Sequence, residues 1–176
     1  MVNRRNRGVE KNMITTVKFA KVHPDAKIPT KRYEDAGWDL YPILPPEGIT
    51  LYPHDTILIK TGLKSALDPE YCLKITERSS MGIKGIGVRA GIIDSGYRGE
   101  IGVVVTNHNG FPVHLQGKYQ KDGIFVEEAL EIPYGKAIAQ ALILPVPEVE
   151  IEELTEEELM KIPSERQDGG YGSTGK

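Results

Sequence analysis

Cysteine is nearly missing from this chain: Cys72 stands alone among 176 residues. One cysteine closes no intramolecular disulfide and builds no multi-cysteine zinc site. It lies in the alternating run Tyr71–Ile75, which predicts a strand position rather than a nucleophile. A long apolar run is missing too, and with it any candidate membrane span. The start, MVNRRNRGVEKN, is basic but has no apolar stretch behind it, so it reads as neither a signal peptide nor an anchor. A basic excess is also absent. The net charge is −3, whereas a duplex reader is expected to carry a positive surface. Internal repeats are lacking, and so is the G-x-x-x-x-G-K-[ST] order of a phosphate-binding Walker loop. These absences point to a cytoplasmic protein with no nucleic acid or membrane partner.

What is present is an ordinary globular composition, 39% hydrophobic and 27% charged, in a length that suits one domain. Runs rich in Val, Ile, Leu, Tyr and Thr recur at short intervals: Thr15–Lys21, Asp39–Ile43, Thr56–Thr61, Tyr71–Thr76, Glu100–Asn107, Val113–Gln116 and Ala137–Leu144. Pro45-Pro46, Pro53, Asp68-Pro69, Asn109-Gly110 and Pro133 punctuate them. Short strands at this spacing predict an all-β barrel or jelly roll. The one helical signal is a capping box at Thr155–Glu158, followed by Leu159 and Met160 and ended by Pro163. The expected organisation is a basic, disordered start (1–14), a β-barrel (15–147), an acidic arm with a short helix (148–165) and a glycine-rich tail (166–176).

That tail, RQDGGYGSTGK, holds four glycines, one aromatic and one arginine. Its glycines let backbone N–H groups converge on an anion. Ser173 and Thr174 add hydroxyls, Arg166 a guanidinium fork and Tyr171 a flat ring on which a base can stack. Four internal segments carry further chemistry. Ala36–Leu40 sets Asp39 at a strand start, where it serves a site or merely closes a turn. Glu77–Gly87 offers Arg78, Ser79 and Ser80 just after a strand, a set that suits phosphate oxygens; Arg78 otherwise pairs with Glu77 or Glu100. In Ala90–Gly102 two β-branched residues precede Asp94. That predicts a part-buried carboxylate with its pKa raised toward general-base range, with Tyr97 nearby and a hairpin whose open end exposes backbone groups. Arg98 and Glu100 flank Gly99 and are placed to pair. In Gly135–Leu144, Gln140 is a polar residue inside an apolar strand and needs a partner: a ligand, a water or a backbone group.

In this order the five segments resemble the five motifs of the trimeric dUTPase family, A-G-x-D-L through R-G-x-G-G-F-G-S-T-G, from about Val17 to Gly175. The resemblance implies a jelly-roll homotrimer with shared active sites, and hydrolysis of dUTP to dUMP and diphosphate. It implies that Asp94 activates the attacking water and that Gln140 helps place the water or a phosphate. Arg78, Ser79 and Ser80 would hold phosphate oxygens. Gly91, Ile92, Ile93 and Gly102 would present backbone groups to uracil, and Tyr97 would lie under the deoxyribose. Tyr171 would stack on the base, while Arg166, Gly172, Ser173 and Thr174 would grip the terminal phosphates. Mg²⁺ would be held mainly by triphosphate and water, with Asp39 reached through water.

The chain departs from the pattern at several positions. Gln167 and Tyr171 stand where the family usually has Gly and Phe, Ser80 where it often has Gly, and Glu77 where it often has Pro. Gly96 replaces a second acid, Lys136-Ala137 replaces Asp-Arg, and Gln116–Ala129 reads as an insertion. The dCTP deaminases share the fold but resemble T-L-E-L after their third motif. Here Glu100–Thr106 has valine where their catalytic glutamate falls. A non-catalytic binding protein on the same scaffold would be expected to have lost Asp94 or the tail, and both are intact.

Overall fold

A computed structural model of the chain describes residues 15–118 and 129–165. The chain divides into two units, Met1–Val146 and Pro147–Lys176. In the first, twelve strands and one helical turn are described. The strands are β1 (Lys18–Lys21), β2 (Trp38–Leu40), β3 (Ile49–Leu51), β4 (Thr56–Lys60), β5 (Leu63–Ala66), β6 (Tyr71–Thr76), β7 (Ile86–Arg89), β8 (Ile92–Ile93), β9 (Gly102–Asn107), β10 (Val113–Leu115), β11 (Leu130–Ile132) and β12 (Ala139–Pro145). The turn α1 (Ser79–Gly82) follows β6.

These strands form four small sheets, in the orders β1-β5, β11-β10-β3, β2-β12-β6-β8 and β4-β9-β7. The expectation of an all-β fold holds. The seven runs foreseen from composition each overlap a strand, with β2 starting one residue before its run and β12 ending one residue beyond its own, but β3, β5, β7, β8 and β11 were not foreseen. They are two to four residues long, too short for an alternating pattern to stand out.

Alternation shows best in β9. Val103 and Val105 turn inward and are fully buried, while Gly102 and Val104 are half-exposed. They join Leu51, Ile59, Leu63, Ile101 and Val113 in one core, each such side chain contributing about 1.5–3 kcal/mol of burial. Cys72 is buried in β6, as a strand residue. In the second unit, α2 (Glu156–Met160) carries the expected capping box. The Glu158 amide donates to Thr155 Oγ1 at 3.3 Å, and the Thr155 amide donates to Glu158 Oε2 at 2.9 Å. The Thr155 amide, then the Thr155 hydroxyl donating to the same oxygen at 2.7 Å, hold the Glu158 carboxyl below its ordinary range.

Asn107, at the end of β9, is a fully buried polar residue. Its Nδ2 donates to the carbonyls of Leu51 (3.0 Å), Tyr52 (3.2 Å) and Phe111 (2.9 Å). Its Oδ1 accepts from the Asn109 amide at 2.9 Å. Truncation would orphan the buried Leu51 carbonyl and two part-buried ones rather than merely empty a space. Asn107→Ala is expected to lower stability by about 2–4 kcal/mol, measured by urea unfolding. A loss near zero would show that those carbonyls find other partners.

Candidate functional site

The antiparallel register of β12 sets Gln140 level with Asp39 of β2 on one side and Thr76 of β6 on the other. Two residues beyond Thr76 the chain leaves the sheet at Arg78 and turns into α1. The Arg78 guanidinium folds back onto Asp39, Nε donating to Oδ1 at 2.7 Å and Nη2 to Oδ2 at 3.2 Å. Its Nη1 donates to the Ala137 carbonyl at 3.3 Å and to Ser80 Oγ at 3.4 Å. The acid facing Arg78 is therefore Asp39, not Glu77 or Glu100. Sheet register brings Asp39 across from a distant strand, which local spacing does not reveal. Ser79 and Ser80 are exposed beside it.

Gln140 finds the backbone partner: its Nε2 donates to the Glu77 carbonyl at 2.8 Å. Gly37 makes room for that side chain, since a Cβ there would overlap Gln140 Oε1. Asp39, Arg78, Ser79, Ser80 and Gln140 thus line one cavity.

Lys31, Arg32 and Asp35 line the same cavity and were not singled out from the sequence. Lys31 Nζ donates to the Asp35 carbonyl at 2.7 Å and stands 5.4 Å from the Trp38 ring centre. Arg32 pairs with Asp35 at 3.0 Å. The available signal was two adjacent cations a few residues before Gly37-Trp38-Asp39.

Glu77 is a second omission. Its Oε1 accepts from the Val88 amide at 2.8 Å, and its Oε2 accepts from Thr76 Oγ1 at 3.0 Å. The Val88 amide, then its own backbone amide, hold the carboxyl below the ordinary range, with burial opposing.

The remaining internal residues gather elsewhere. Gly91, Ile92, Ile93, Asp94, Tyr97 and Gly102 line a second cleft, with Leu58 and Glu100. Gly91 lies so close to β6 that a Cβ would overlap the Ile75 carbonyl oxygen; its own carbonyl accepts from the Ile75 amide at 2.6 Å. The preceding Ala90 takes φ 46°, a strained left-handed value for a residue with a side chain.

Three expectations are corrected here. The segment is not a hairpin, because β8 pairs with β6 while β9 pairs with β4 and β7. Asp94 is exposed rather than part-buried: β8 is an edge strand, and Ile92, expected to shield the carboxylate, is itself 54% exposed. Arg98 and Glu100 do not pair. Arg98 donates to backbone carbonyls, that of Ser95 at 2.7 Å, whereas Glu100 pairs with Lys60 at 3.2 Å. Tyr97 is half-exposed over Gly99, with its hydroxyl donating to the Glu100 carbonyl at 3.3 Å.

The two clusters do not meet on one chain. β8 runs antiparallel to β6 with Ile93 level with Leu73, so Asp94 heads for the Tyr71 end while Arg78 leaves from the opposite end. Six strand positions between them amount to about 20 Å. Arg166, Tyr171, Gly172, Ser173 and Thr174 lie outside the described residues, as does most of the Gln116–Ala129 insertion.

A protein-family model, dUTPase, matches residues 25–120. The deoxyuridine 5′-triphosphate nucleotidohydrolase of Nautilia profundicola is 39% identical over 164 residues, covering 91% of this chain and 99% of that protein. Among solved structures, the Staphylococcus bacteriophage 80alpha dUTPase with dUPNHPP aligns with a TM-score of 0.69 at 25% identity, covering 92% of this chain and 99% of that one. A mutant dUTPase from phage phi11 of S. aureus, described as coordinating a structural Mg(II) ion, aligns with a TM-score of 0.64 at 26% identity, covering 80% and 97%.

The lowered pKa of Glu77 makes stability depend on pH in one direction. Its folded pKa lies below the unfolded value of 4.5, so its contribution is complete above that value. It is lost as pH falls through the folded value. The melting-temperature gap between wild type and Glu77→Gln should be constant at neutral pH and shrink from about pH 5 to about pH 3. A gap that stays constant into acid would show that the Glu77 charge contributes nothing.

Proposed function

Because the chain belongs to the dUTPase family, we propose that it hydrolyses dUTP to dUMP and diphosphate, a step of nucleotide metabolism that supplies dUMP. A water adds to the α-phosphorus, the bond to the diphosphate oxygen breaks, and Asp94 takes the proton of the water. Arg78, Ser79 and Ser80 hold phosphate oxygens. Arg78 is pre-aimed by Asp39, so its guanidinium needs little reordering on binding. Gln140 gives one Nε2 hydrogen to the Glu77 carbonyl, leaving its second Nε2 hydrogen and Oε1. Oε1 suits a water, and the remaining N–H suits a water or a phosphate oxygen. Tyr97 lies under the deoxyribose. Gly91, Ile92, Ile93 and Gly102 read uracil with backbone groups on the unpaired edge of β8 and beside it.

In this reading the tail completes the site. Tyr171 stacks on the base, while Arg166, Gly172, Ser173 and Thr174 grip the terminal phosphates. The working divisions are the 15–147 barrel, the 148–165 arm and the 166–176 tail, in a cytoplasmic enzyme.

The residues fit Mg²⁺ only in a limited way. Among the described residues no cluster of three or more His, Cys, Asp or Glu is placed to hold a metal, and both Asp39 oxygens face Arg78. That donor set suits an ion carried by the triphosphate and its waters, reached by Asp39 through water. When bound, the ion offsets negative charge on the phosphate oxygens.

The observation that carries this reading is the separation of Arg78 from Asp94 by about the length of a strand. A site containing both needs a second copy of the chain, which supports a homotrimer with shared active sites. Asp94→Asn should lose at least about 10²-fold in kcat with little change in affinity. Mixing Asp94→Asn chains with Arg78→Ala chains, each nearly inactive alone, should restore part of the activity. No restoration after unfolding and refolding together would place both residues of each site on one chain. Wild-type protein inert toward dUTP would overturn the activity itself.

A further inference from the structure

We propose that Glu77 is a positioning residue for substrate phosphates, closing the neck of loop 78–85 so that Arg78, Ser79 and Ser80 face the cavity in one direction. The role deepens the dUTP reading above and rests on it. The loop leaves β6 at Thr76 and returns through β7, two strands that belong to different sheets. The Glu77 carboxylate spans that gap, accepting from the Val88 amide at 2.8 Å. Thr76 Oγ1 holds the other oxygen at 3.0 Å. On the backbone side, the Glu77 carbonyl accepts from Gln140 Nε2 at 2.8 Å. The peptide unit from which Arg78 departs is thus gripped from β7 by the side chain before it and from β12 by its own carbonyl.

The rest of the loop is already anchored. Met81 is buried, Asn109 Nδ2 donates to the Lys84 carbonyl at 2.8 Å, and the His108 amide donates to the Gly85 carbonyl at 2.8 Å. Only the neck depends on Glu77. Where a proline would stiffen such a position through its ring, a glutamate does so with hydrogen bonds to two other groups. The charge also matters in sign. A carboxylate beside a phosphate site would repel the ligand, but both of its oxygens are turned toward donors.

The test compares wild type, Glu77→Ala and Glu77→Gln by calorimetry with dUPNHPP and with deoxyuridine, which lacks phosphates. Glu77→Ala should weaken dUPNHPP binding about tenfold and leave deoxyuridine binding unchanged. Glu77→Gln keeps an acceptor oxygen for the Val88 amide and should recover most of the loss. Equal weakening of both ligands would mean general damage to the fold and overturn the positioning role, as would wild-type binding of dUPNHPP by Glu77→Ala. If wild type binds dUPNHPP with the expected pattern among variants yet does not turn over dUTP, the positioning role stands and the hydrolytic reading fails. If wild type binds neither ligand, both fail.

Discussion

The register of β12 against its two neighbours is the constraint on which the Arg78 side of the site depends. One residue, Gln140, is fixed level with Asp39 and with Thr76 at once. A slip of one residue would turn Gln140 to the opposite face and bury a neighbouring alanine's space under a polar amide. The apolar run around it resists that slip, since Ala139 and Ala141 are buried on the other face. Packing therefore sets the position of a polar residue that packing alone would not choose. The Gln140 amide then fastens the first peptide beyond β6, and the Asp39 carboxylate fastens the guanidinium that follows. A cluster whose members lie a hundred residues apart in sequence is held by one hydrophobic ladder.

Electrostatics arranges the remainder. Arg78 and Asp39 are each about 30% accessible, so their ion pair is neither fully desolvated nor freely screened. A phosphate entering the cavity meets a guanidinium already oriented and already partly neutralised. In the proposed reading it is bound by the remaining Nη2 hydrogen of Arg78, together with the two serine hydroxyls. Lys31 is spent in another way, on three carbonyls of its own loop and on the Trp38 ring face. It shapes the cavity wall more than it charges the cavity.

Much of this was legible in the sequence. Tyr71–Thr76 and Ala139–Pro145 are long and apolar enough to declare themselves, and the capping box at Thr155 is a local code that the structure reproduces. The four internal motif segments supplied most of the residues lining the two clefts. What stayed hidden was whatever depends on contacts distant along the chain. β8 is two residues long and reads as part of its neighbours. Its pairing with β6 instead of β9 decides whether Asp94 is shielded, and no periodicity in Ala90–Gly102 reports that choice. Glu77 escaped notice for a related reason: beside Arg78 it looks like a surface acid, and only the fold brings the Val88 amide to it. Lys31 and Arg32 were legible as charges but not as walls of a cavity.

The turn after β9 has a reach beyond its own stability. Asn109 and His108 hold the carbonyls of Lys84 and Gly85, and Asn107 holds Asn109 in turn. Three residues that line neither cleft are thereby tied to the loop that carries Arg78. The two turns are therefore coupled: a change of length or of hydrogen-bonding residue in 107–109 would alter the seat of loop 78–85. The room for change in that outlying turn is thereby linked to the seating of Arg78, in a cavity the turn does not line.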